Sequence, residues 1–368
     1  MKIIAVTPDV DIRTIKFLEQ FNKCESEIVW ISEKKTRKNW DERIAQLKYL
    51  VVHKVISKSI LPTQLIHNPI RDKTLKKLLK VNFDLVYVRE MFLAYVLIKR
   101  FKIPKEKIIL DIADDYLAVL ENSNSLSKKI FRNIYNLKKI ESTVLLNSGK
   151  ILFVCNEAKD EILERNKLIN LSNYFIIANA PTKKSFNKSF SQIESISNNI
   201  LYVGTIDKGI RDFDVIMGLK NVVKKHIKID CYSFDITNNL YIKEIEEYFN
   251  DSKFLKINFK EAVNNEKYEE LLRSYKFGII PHKRNKITDN TIPNKIYDYF
   301  NCELFVISSN NPAIISEFKD NENIKFYKGE DEHSLYQVLN EIDFDKMTSK
   351  NSKKYYFETY FDAMWLKI

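Results

Sequence analysis

Short apolar runs alternate with longer amphipathic segments along the whole chain, and this alternation constrains the fold more than any other feature. Most runs are apolar at consecutive positions, a pattern typical of parallel strands covered on both faces. They predict strands at Lys2–Val6, Glu27–Ile31, Leu85–Val88, Ile108–Ile112, Ile151–Val154, Phe175–Ala178, Ile200–Val203, Ile227–Tyr232, Phe254–Ile257, Phe277–Ile280, Leu304–Ile307 and Ile324–Tyr327. Helix-like stretches lie between them, at Arg89–Phe101, Ser127–Leu146, Asp212–Lys225, Lys267–Tyr275 and Pro293–Asn301. Repeated strand–helix units predict parallel sheets with right-handed crossovers.

The predicted strands form two series of about six, separated by a polar stretch at Thr182–Asn199 that is rich in Ser, Asn and Lys. We therefore expect an α/β fold of two tandem Rossmann-like domains, at residues 1–182 and 198–346. Residues 347–368 have a helical pattern and carry six aromatic side chains. This last segment either docks onto another part of the protein or caps the second domain.

The positive charge of the chain lies in its first half. The 368 residues contain 60 Lys and Arg against 49 Asp and Glu, a net charge of +11. Residues 1–180 hold 32 basic and 21 acidic side chains, whereas residues 181–368 hold 28 of each. Residues 34–107 alone hold 19 basic and 6 acidic ones. Such a face is either solvated surface or a binding surface for an anionic membrane or acceptor, and no nucleic-acid module accompanies it.

Several common functional motifs are absent. The four cysteines are far apart, which argues against a zinc site or a disulfide framework, and no histidines have metal-ligand spacing. The six glycines form no dinucleotide fingerprint, and Ile210 and Arg211 stand where a P-loop needs Lys and Ser or Thr. A G-x-S-x-G elbow is also missing. No apolar stretch approaches 18 residues, so we expect a cytoplasmic protein, soluble or peripheral on a membrane.

One segment of the second predicted domain has the pattern of an anion-binding site. A predicted buried strand ends at Pro281, a polar loop follows, and a helix begins near Pro293. A helix N-terminus at the carboxyl edge of a sheet is a natural pyrophosphate site. Lys295 adds positive charge in the first turn, and Asp298 lies on the same helix face, where it could accept both hydroxyls of a ribose. The alternative is an ordinary helix with a Lys–Asp pair at i, i+3.

Three blocks of the chain resemble those of GT-B glycosyltransferases. Residues Tyr268–Asn311 are similar to the donor-binding block of that group, in which a strand ending in Pro-Phe precedes a Pro-x-Lys-x-x-Glu-Tyr helix. Gly204 is similar to the glycine that ends the first strand of their C-terminal domain. Ile108–Leu117 (IILDIADDYL) resembles the Asp-x-x-Asp-Asp segment of bacterial capsule and exopolysaccharide enzymes, which are family 4-like or glucuronosyltransferase-like. The blocks occur in the expected order.

The resemblance implies a set of residues that contact a nucleotide-sugar donor: Gly204, Thr205, Lys208, His282, Asn285, Thr288, Pro293, Asn294, Lys295 and Asp298. The chain departs from the family at several of them. Asp298 replaces the usual Glu, and Thr205 replaces a phosphate-binding Arg, so that Lys208 or Lys295 would carry that charge. His282 replaces a common Phe and would contact a phosphate or only pack. The usual Gly-containing turn after the helix is Asn301-Cys302-Glu303.

Asp114 and Asp115 are the candidate catalytic residues. They follow a predicted strand at the edge expected to face a cleft between the domains, and repulsion between two carboxylates would raise one pKa, which suits a general base. Asp114 is the first choice because the family motif places its carboxylate there. The alternative is that one of the pair caps the next helix. Ala113 replaces the His of many relatives that retain the anomeric configuration of the sugar, so the sequence favours an enzyme that inverts it.

The resemblance further implies a glycosyltransferase that moves a sugar from a nucleotide diphosphate donor to a lipid-linked saccharide in surface polysaccharide assembly. The expected nucleotide is UDP. The N-terminal domain would bind the acceptor at the cytoplasmic face of the inner membrane, and the C-terminal helix would cross back to that domain. Protein donors would stabilise the leaving diphosphate, with no metal and no further cofactor. Two alternatives share the fold: a nucleotide-sugar 2-epimerase and a non-catalytic nucleotide-sugar-binding subunit.

Overall fold

The computed structural model describes residues 1–32, 41–55, 68–121, 135–186, 196–234, 236–344 and 353–368. Parts of the basic stretch 34–107, of the helix-like stretch Ser127–Leu146, of the polar stretch Thr182–Asn199 and of the final segment lie outside these residues. The chain divides into two compact units. The first comprises Met1–Ala178 and Tyr360–Ile368, and the second comprises Asn179–Thr359.

The first unit is built on a sheet of seven parallel strands in the order β3-β2-β1-β4-β5-β6-β7. These strands are β1 (Lys2–Thr7), β2 (Glu27–Ser32), β3 (Leu50–Val55), β4 (Leu85–Arg89), β5 (Ile108–Ile112), β6 (Lys150–Phe153) and β7 (Tyr174–Ile176). The helices are α1 (Ile12–Lys23), α2 (Asp41–Ala45), α3 (Pro69–Leu78), α4 (Met91–Lys99), α5 (Tyr116–Glu121), α6 (Leu137–Leu146) and α7 (Asn156–Arg165). The strand order reverses between β1 and β4, which makes their carboxyl ends a topological switch point.

The second unit repeats this plan with six parallel strands in the order β10-β9-β8-β11-β12-β13. The strands are β8 (Ser197–Val203), β9 (Ile227–Ser233), β10 (Leu255–Glu261), β11 (Tyr275–Ile280), β12 (Phe305–Ser309) and β13 (Ile324–Tyr327). The helices are α8 (Phe213–Gly218), α9 (Leu240–Phe249), α10 (Asn265–Arg273), α11 (Lys286–Asp289), α12 (Asn294–Asn301), α13 (Pro312–Phe318) and α14 (Glu332–Glu341). A last helix, α15 (Phe357–Trp365), begins in the second unit and continues into the first from Tyr360. The switch point here lies between β8 and β11.

The structure confirms each strand that the apolar runs predicted, with small shifts at the ends, and adds β3. This strand is at the edge of its sheet and pairs only with β2 among the described residues. Its sequence carries His53 and Lys54, and Val51 is exposed. The strand therefore lacks the continuous apolar run of a strand buried on both faces.

The end of the C-terminal aromatic segment, Tyr360–Ile368, belongs to the first unit, as the resemblance implied. Phe361 packs against Phe17 and Phe21 of α1, with ring centroids 6.0 and 5.7 Å away, and Trp365 lies 5.6 Å from Phe21. Phe361 and Trp365 also stack on each other at 5.2 Å. Aromatic burial of this kind contributes favourable energy beyond its area, so the helix end is fixed rather than frayed.

Helix α12 is fixed against the second sheet by one aromatic side chain. The ring of Tyr299 covers Gly278 of β11 so closely that a Cβ at that glycine would lie 2.6 Å from the ring. The Tyr299 hydroxyl accepts a hydrogen bond from the Val203 N–H at 3.0 Å and donates one to the Leu201 carbonyl at 3.4 Å. Glycine at this position thus allows the close approach that fixes the helix beside the switch-point strands.

Candidate functional site

The carboxyl ends of β1, β4 and β5 surround a cavity of about 250 Å³ within the first unit, which we call the first-unit cavity. Its polar lining includes Asp9 after β1, Arg89 and Glu90 at the end of β4, and Asp114 after β5. Its apolar lining consists mainly of Met91, Ile112, Tyr116, Val144, Leu145 and Ile162. A concave, largely apolar site with a few converging polar groups at a switch point is where an α/β sheet binds ligands.

Asp114 lies at this cavity two residues after β5 ends, and its carboxylate has no hydrogen bond or ion pair within the part of the chain that the structure describes. The residue is open to water, but the concave protein surface around it excludes much of the bulk solvent. Desolvation therefore raises the pKa of Asp114, against the opposing effect of the positive charge of Arg89. The shift has the expected direction, but the neighbouring acids that add to it are Asp11 and Asp111 rather than Asp115.

Asp115 has a structural environment. It is buried, its Oδ1 accepts the Ala118 N–H at 3.1 Å as the cap of α5, and its Oδ2 accepts the Arg165 guanidinium at 2.6 Å. Arg165 also holds Glu141 through two hydrogen bonds of 2.8 and 2.5 Å. The capping role, which the sequence left open for one member of the pair, is the one that Asp115 occupies.

Asp111, three residues before Asp114, anchors the floor of the site. The Arg13 guanidinium donates to both of its oxygens, at 2.7 to 3.1 Å, and the Tyr87 hydroxyl donates to its Oδ2 at 2.7 Å. All three side chains are buried. Paired and hydrogen-bonded in this way, the charges tie α1 to β4 and β5 and hold the strand end that carries Asp114.

Arg89 lines the first-unit cavity, and its positive charge opposes the rise in the pKa of Asp114. It forms an ion pair with Asp11, the cap of α1, and lies 3.8 Å from Asp9. Although desolvation acts in the opposite direction, Arg89 lowers the pKa of Asp11, and the carboxylates in turn raise the pKa of Arg89. The fixed ion pair of Arg89 and Asp11 therefore lies beside the unpaired carboxylate of Asp114.

In the second unit, Gly204 and His282 follow the two switch-point strands, β8 and β11. Gly204 has φ +153°, a conformation that L side chains rarely adopt, and a Cβ there would lie 3.1 Å from the Tyr202 hydroxyl. That hydroxyl donates to the Thr205 carbonyl at 2.6 Å. Thr205 is exposed and Gly204 is half-buried, so the turn leaves its backbone open on the carboxyl side of the sheet.

Arg211 is the cation that the structure brings to this turn, and the sequence reasoning missed it. Its Nε donates to the Tyr202 hydroxyl at 3.1 Å, and its Nη1 lies 2.5 Å from His282 Nε2. Burial, with the charge of Arg211, holds the pKa of His282 well below its usual range, so the neutral ring accepts the hydrogen bond. Nη2 has no hydrogen-bond partner among the described residues. His282 is buried behind this guanidinium and orients it.

Lys208, the predicted alternative cation, lies elsewhere. It is exposed, forms an ion pair with Glu244 of α9 at 3.1 Å, and stands over the ring of Tyr241. The difference between Lys208 and Arg211 comes from the turn between them, where backbone hydrogen bonds join Asp212 to Pro281 and Lys283 to Ile210. These bonds bring Arg211 beside the end of β11.

Asn285 and Thr288 stabilise the loop itself. The Asn285 side chain accepts the N–H groups of Ile287 and Thr288, both at 3.0 Å, as the cap of α11. The buried Thr288 hydroxyl donates to the Lys283 carbonyl at 2.5 Å. Both side chains shape the segment between β11 and α12, and their predicted contact with a diphosphate stays a prediction.

At the start of α12 the predicted Lys–Asp pair is present, and a tyrosine joins it. Pro293 precedes the helix, and among the described residues no side chain caps its N-terminus. Lys295 Nζ lies 3.6 Å from Asp298 Oδ2. The hydroxyl of Tyr268, from α10, donates to the same oxygen at 2.8 Å and lies 3.0 Å from Lys295 Nζ. Asn294 and Lys295 are half-buried at this end.

Solved structures show which architecture this is. The chain matches HepE of Anabaena, solved with UDP and glucose, at a TM-score of 0.70 and 10% identity, over 100% of this chain and 99% of HepE. It matches the lipopolysaccharide outer core galactosyltransferase WaaB at 0.63 and 11%, over 100% of each chain. A glycosyltransferase from Rickettsia africae gives 0.67 and 15%, over 92% of this chain and 87% of that one. The chain has the GT-B fold.

No protein-family model and no curated protein matches the sequence. The GT-B fold hosts more than one chemistry, so the residues at the two switch points, rather than the fold, determine the activity. Nowhere in the described ranges is a helix both long and apolar enough to cross a membrane. Within those same ranges, no three His, Cys, Asp or Glu side chains are grouped to hold a metal ion.

Proposed function

We propose that this protein is a glycosyltransferase that moves a sugar from a nucleoside diphosphate to a saccharide acceptor. The nucleoside diphosphate that we propose is UDP. The observation that carries the proposal is the unpaired carboxylate of Asp114 at the first-unit cavity, in a fold shared with sugar-transferring enzymes. A carboxylate with a raised pKa and without a fixed partner is suited to accept a proton. The Asp-x-x-Asp-Asp segment supports membership of the capsule and exopolysaccharide group, as a proposal.

In the proposed reaction, the hydroxyl oxygen of the acceptor attacks the anomeric carbon of the donor while the bond from that carbon to the diphosphate oxygen breaks. The hydroxyl proton passes to Asp114, and the nucleoside diphosphate leaves with the electron pair of the broken bond. We assign this role to Asp114 rather than to Asp115, since both oxygens of Asp115 accept hydrogen bonds from the protein itself. One displacement of this kind inverts the anomeric configuration.

The donor would bind in the second unit. The open backbone at Gly204 allows close approach of the diphosphate, and the N-terminal N–H groups of α12 at Asn294 and Lys295 would bind its oxygens. The free edge of Arg211 would supply the positive charge. Asp298 would accept a ribose hydroxyl. With these groups neutralising the leaving diphosphate, we propose that transfer uses no metal and no further cofactor.

A donor screen by thermal unfolding tests this proposal. At a concentration about 100 times its Kd, a bound nucleotide sugar stabilises the folded protein by about 2.7 kcal/mol, which corresponds to a rise in Tm of about 5 °C or more. We expect UDP-sugars to produce that rise and the corresponding free sugars to produce none. The absence of a rise with every nucleoside diphosphate sugar would contradict the donor assignment.

We further propose that the acceptor is lipid-linked and that the first unit binds the cytoplasmic face of the inner membrane. Helix α3 and the two residues after its end present four exposed lysines: Lys73, Lys76, Lys77 and Lys80. Two apolar side chains are exposed beside them, with 61% of Ile70 and 48% of Val81 accessible. Basic and apolar groups on one surface favour adsorption to an anionic bilayer.

Removal of three of these lysines should weaken membrane binding. Each lysine near an anionic surface contributes about 1 kcal/mol, so Lys76→Gln, Lys77→Gln and Lys80→Gln together should lower the affinity for phosphatidylglycerol vesicles on the order of a hundredfold. Co-sedimentation measures it. A triple variant of exposed lysines in the second unit, Lys224→Gln, Lys243→Gln and Lys256→Gln, changes the net charge equally and should bind like the wild type. Equal losses in both variants would show that net charge, rather than this surface, drives the binding.

One structural match keeps a second activity open. A putative UDP-N-acetylglucosamine 2-epimerase from Listeria monocytogenes matches over 99% of this chain with a TM-score of 0.57 and 11% identity. An epimerase converts a nucleotide sugar without an acceptor. Conversion of the donor to an epimer in the absence of acceptor would favour that activity, and binding without either reaction would favour the non-catalytic subunit.

A further inference from the structure

The carboxylate of Asp298 in α12 accepts a hydrogen bond from a tyrosine of another helix, α10. Tyr268 lies 30 residues before Asp298 in the sequence, and its hydroxyl donates to Asp298 Oδ2 at 2.8 Å. The ring of Phe186 packs edge-on against Tyr268, with the ring centroids 6.5 Å apart. Desolvation and the nearby Asp298 hold the pKa of Tyr268 well above its usual range, so the hydroxyl keeps its proton and acts as a donor.

Lys295 is held by the same tyrosine. Its Nζ lies 3.0 Å from the Tyr268 hydroxyl oxygen and 4.4 Å from the ring centroid. The distance from Nζ to Asp298 Oδ2 is longer, at 3.6 Å. Because an ammonium only donates and a phenol has one proton, the hydrogen bonds run in one order, from Lys295 to Tyr268 and from Tyr268 to Asp298.

This order leaves one oxygen of Asp298 available. The Asp298 side chain is 10% exposed, and no described residue donates a hydrogen bond to its Oδ1. A nearly buried carboxylate oxygen without a donor beside an uncapped helix N-terminus is an acceptor site for a ligand hydroxyl. The two oxygens therefore have separate tasks, Oδ2 for the protein and Oδ1 for the ligand.

We propose that Tyr268 is a positioning residue that makes the donor site selective for ribonucleotides over 2′-deoxyribonucleotides. It would do so by holding Asp298 so that Oδ1 accepts the 2′-hydroxyl of the ribose. This inference rests on the proposed donor site and narrows its substrate class to ribonucleoside diphosphate sugars. Thymidine diphosphate sugars, which lack the 2′-hydroxyl, would be poor donors. Without the phenol, the ammonium of Lys295, which lies 3.6 Å from Asp298 Oδ2, would hydrogen-bond the carboxylate directly and compete with the ribose.

Calorimetry with matched pairs of nucleotides tests the inference on the full chain. The pairs are UDP with 2′-deoxy-UDP, GDP with 2′-deoxy-GDP and ADP with 2′-deoxy-ADP. For the base that binds, we expect the wild type to prefer the ribonucleotide by about 10- to 100-fold, the range of a hydrogen bond to a charged group. In Tyr268→Phe, which keeps the ring, the preference should fall to roughly threefold or less.

Tyr275→Phe is the matched control. Tyr275 also donates its hydroxyl to a buried carboxylate of the second unit, Asp230, at 2.8 Å, but away from α12. Its removal should change stability and leave the preference for ribonucleotides intact. An unchanged preference in Tyr268→Phe, or a wild type that binds both members of a pair equally, would overturn the inference while the donor site stands. A wild type that binds no diphosphate would contradict the proposed function itself.

Discussion

Asp114→Asn should lower kcat for sugar transfer by about 10²- to 10⁴-fold, the contribution of a positioned general base. The donor Kd should stay unchanged, because Asp114 belongs to the first unit and the proposed donor contacts belong to the second. In the wild type, the raised pKa of Asp114 places the acidic limb of the rate profile above the pH expected for an ordinary aspartate, and kcat should fall as pH decreases through that pKa. Steady-state kinetics across pH measures both effects.

The same substitution should raise Tm at neutral pH. A carboxyl whose pKa is raised in the folded state binds its proton more tightly there than in the unfolded chain. That stabilising effect is complete below the unfolded pKa, near 3.8, and is lost as pH rises through the folded pKa. Ionised Asp114 therefore destabilises the native state, and an amide removes this penalty, as expected where activity is gained at the expense of stability.

Asp115→Asn is the matched control for that variant, since it removes the neighbouring charge. An asparagine can still cap α5, but the ion pair with Arg165 is lost. We expect a lower Tm and a far smaller change in kcat. A loss of kcat as large as that of Asp114→Asn, or a wild-type rate in Asp114→Asn, would assign the base to another residue.

Arg211→Ala should weaken nucleoside diphosphate binding by about 10- to 100-fold, because a hydrogen bond between charged groups contributes about 1.5–3 kcal/mol. It should also lower kcat by about 10²-fold, since the negative charge that develops on the leaving diphosphate loses a donor. Calorimetry with UDP and initial-rate kinetics measure the two effects. Binding of uridine, which has no phosphate, should not change.

Lys208→Ala is the control for Arg211, because it removes a cation from the same loop. Lys208 is paired with Glu244 and exposed, so its loss should leave both UDP affinity and kcat within about twofold of the wild type. A large loss in Lys208→Ala with a small one in Arg211→Ala would restore the assignment that the sequence suggested. Equal weakening of UDP and uridine in Arg211→Ala would point to a structural role.

The sequence predicted the elements whose signal is local. Continuous apolar runs predicted both sheets, and Gly204 and His282 follow the two switch-point strands of the second one. The sequence treated the Asp-x-x-Asp-Asp segment as one motif, whereas its members do three different things in the structure: Asp111 anchors Arg13, Asp114 is unpaired and Asp115 caps a helix. Only the direction of each side chain separates these roles, and adjacent residues after a strand give no periodic signal of direction.

The rest of the site depends on contacts between distant parts of the chain. Arg211 meets His282 across 71 residues, and Tyr268 meets Asp298 across 30. Neither pair has a characteristic spacing, because loop turns and the packing of one helix on another set the distance. The resemblance offered Lys208 or Lys295 as the cation, but the turn after Lys208 brings Arg211 to the end of β11. No sequence pattern identifies a tyrosine or an arginine that lies far from the predicted site in the sequence but close to it in the folded protein.

A transfer assay tests the proposed glycosyltransferase activity most directly. The wild-type protein is incubated with labelled UDP-sugars and an inner-membrane lipid extract, and both the released UDP and the labelled lipid-linked product are measured. We predict that the two appear in equal amounts, that neither appears without the lipid fraction, and that Asp114→Asn reduces both together by about 10²-fold or more. Release of no UDP with any sugar donor, from a protein that binds the nucleotide, would contradict the account.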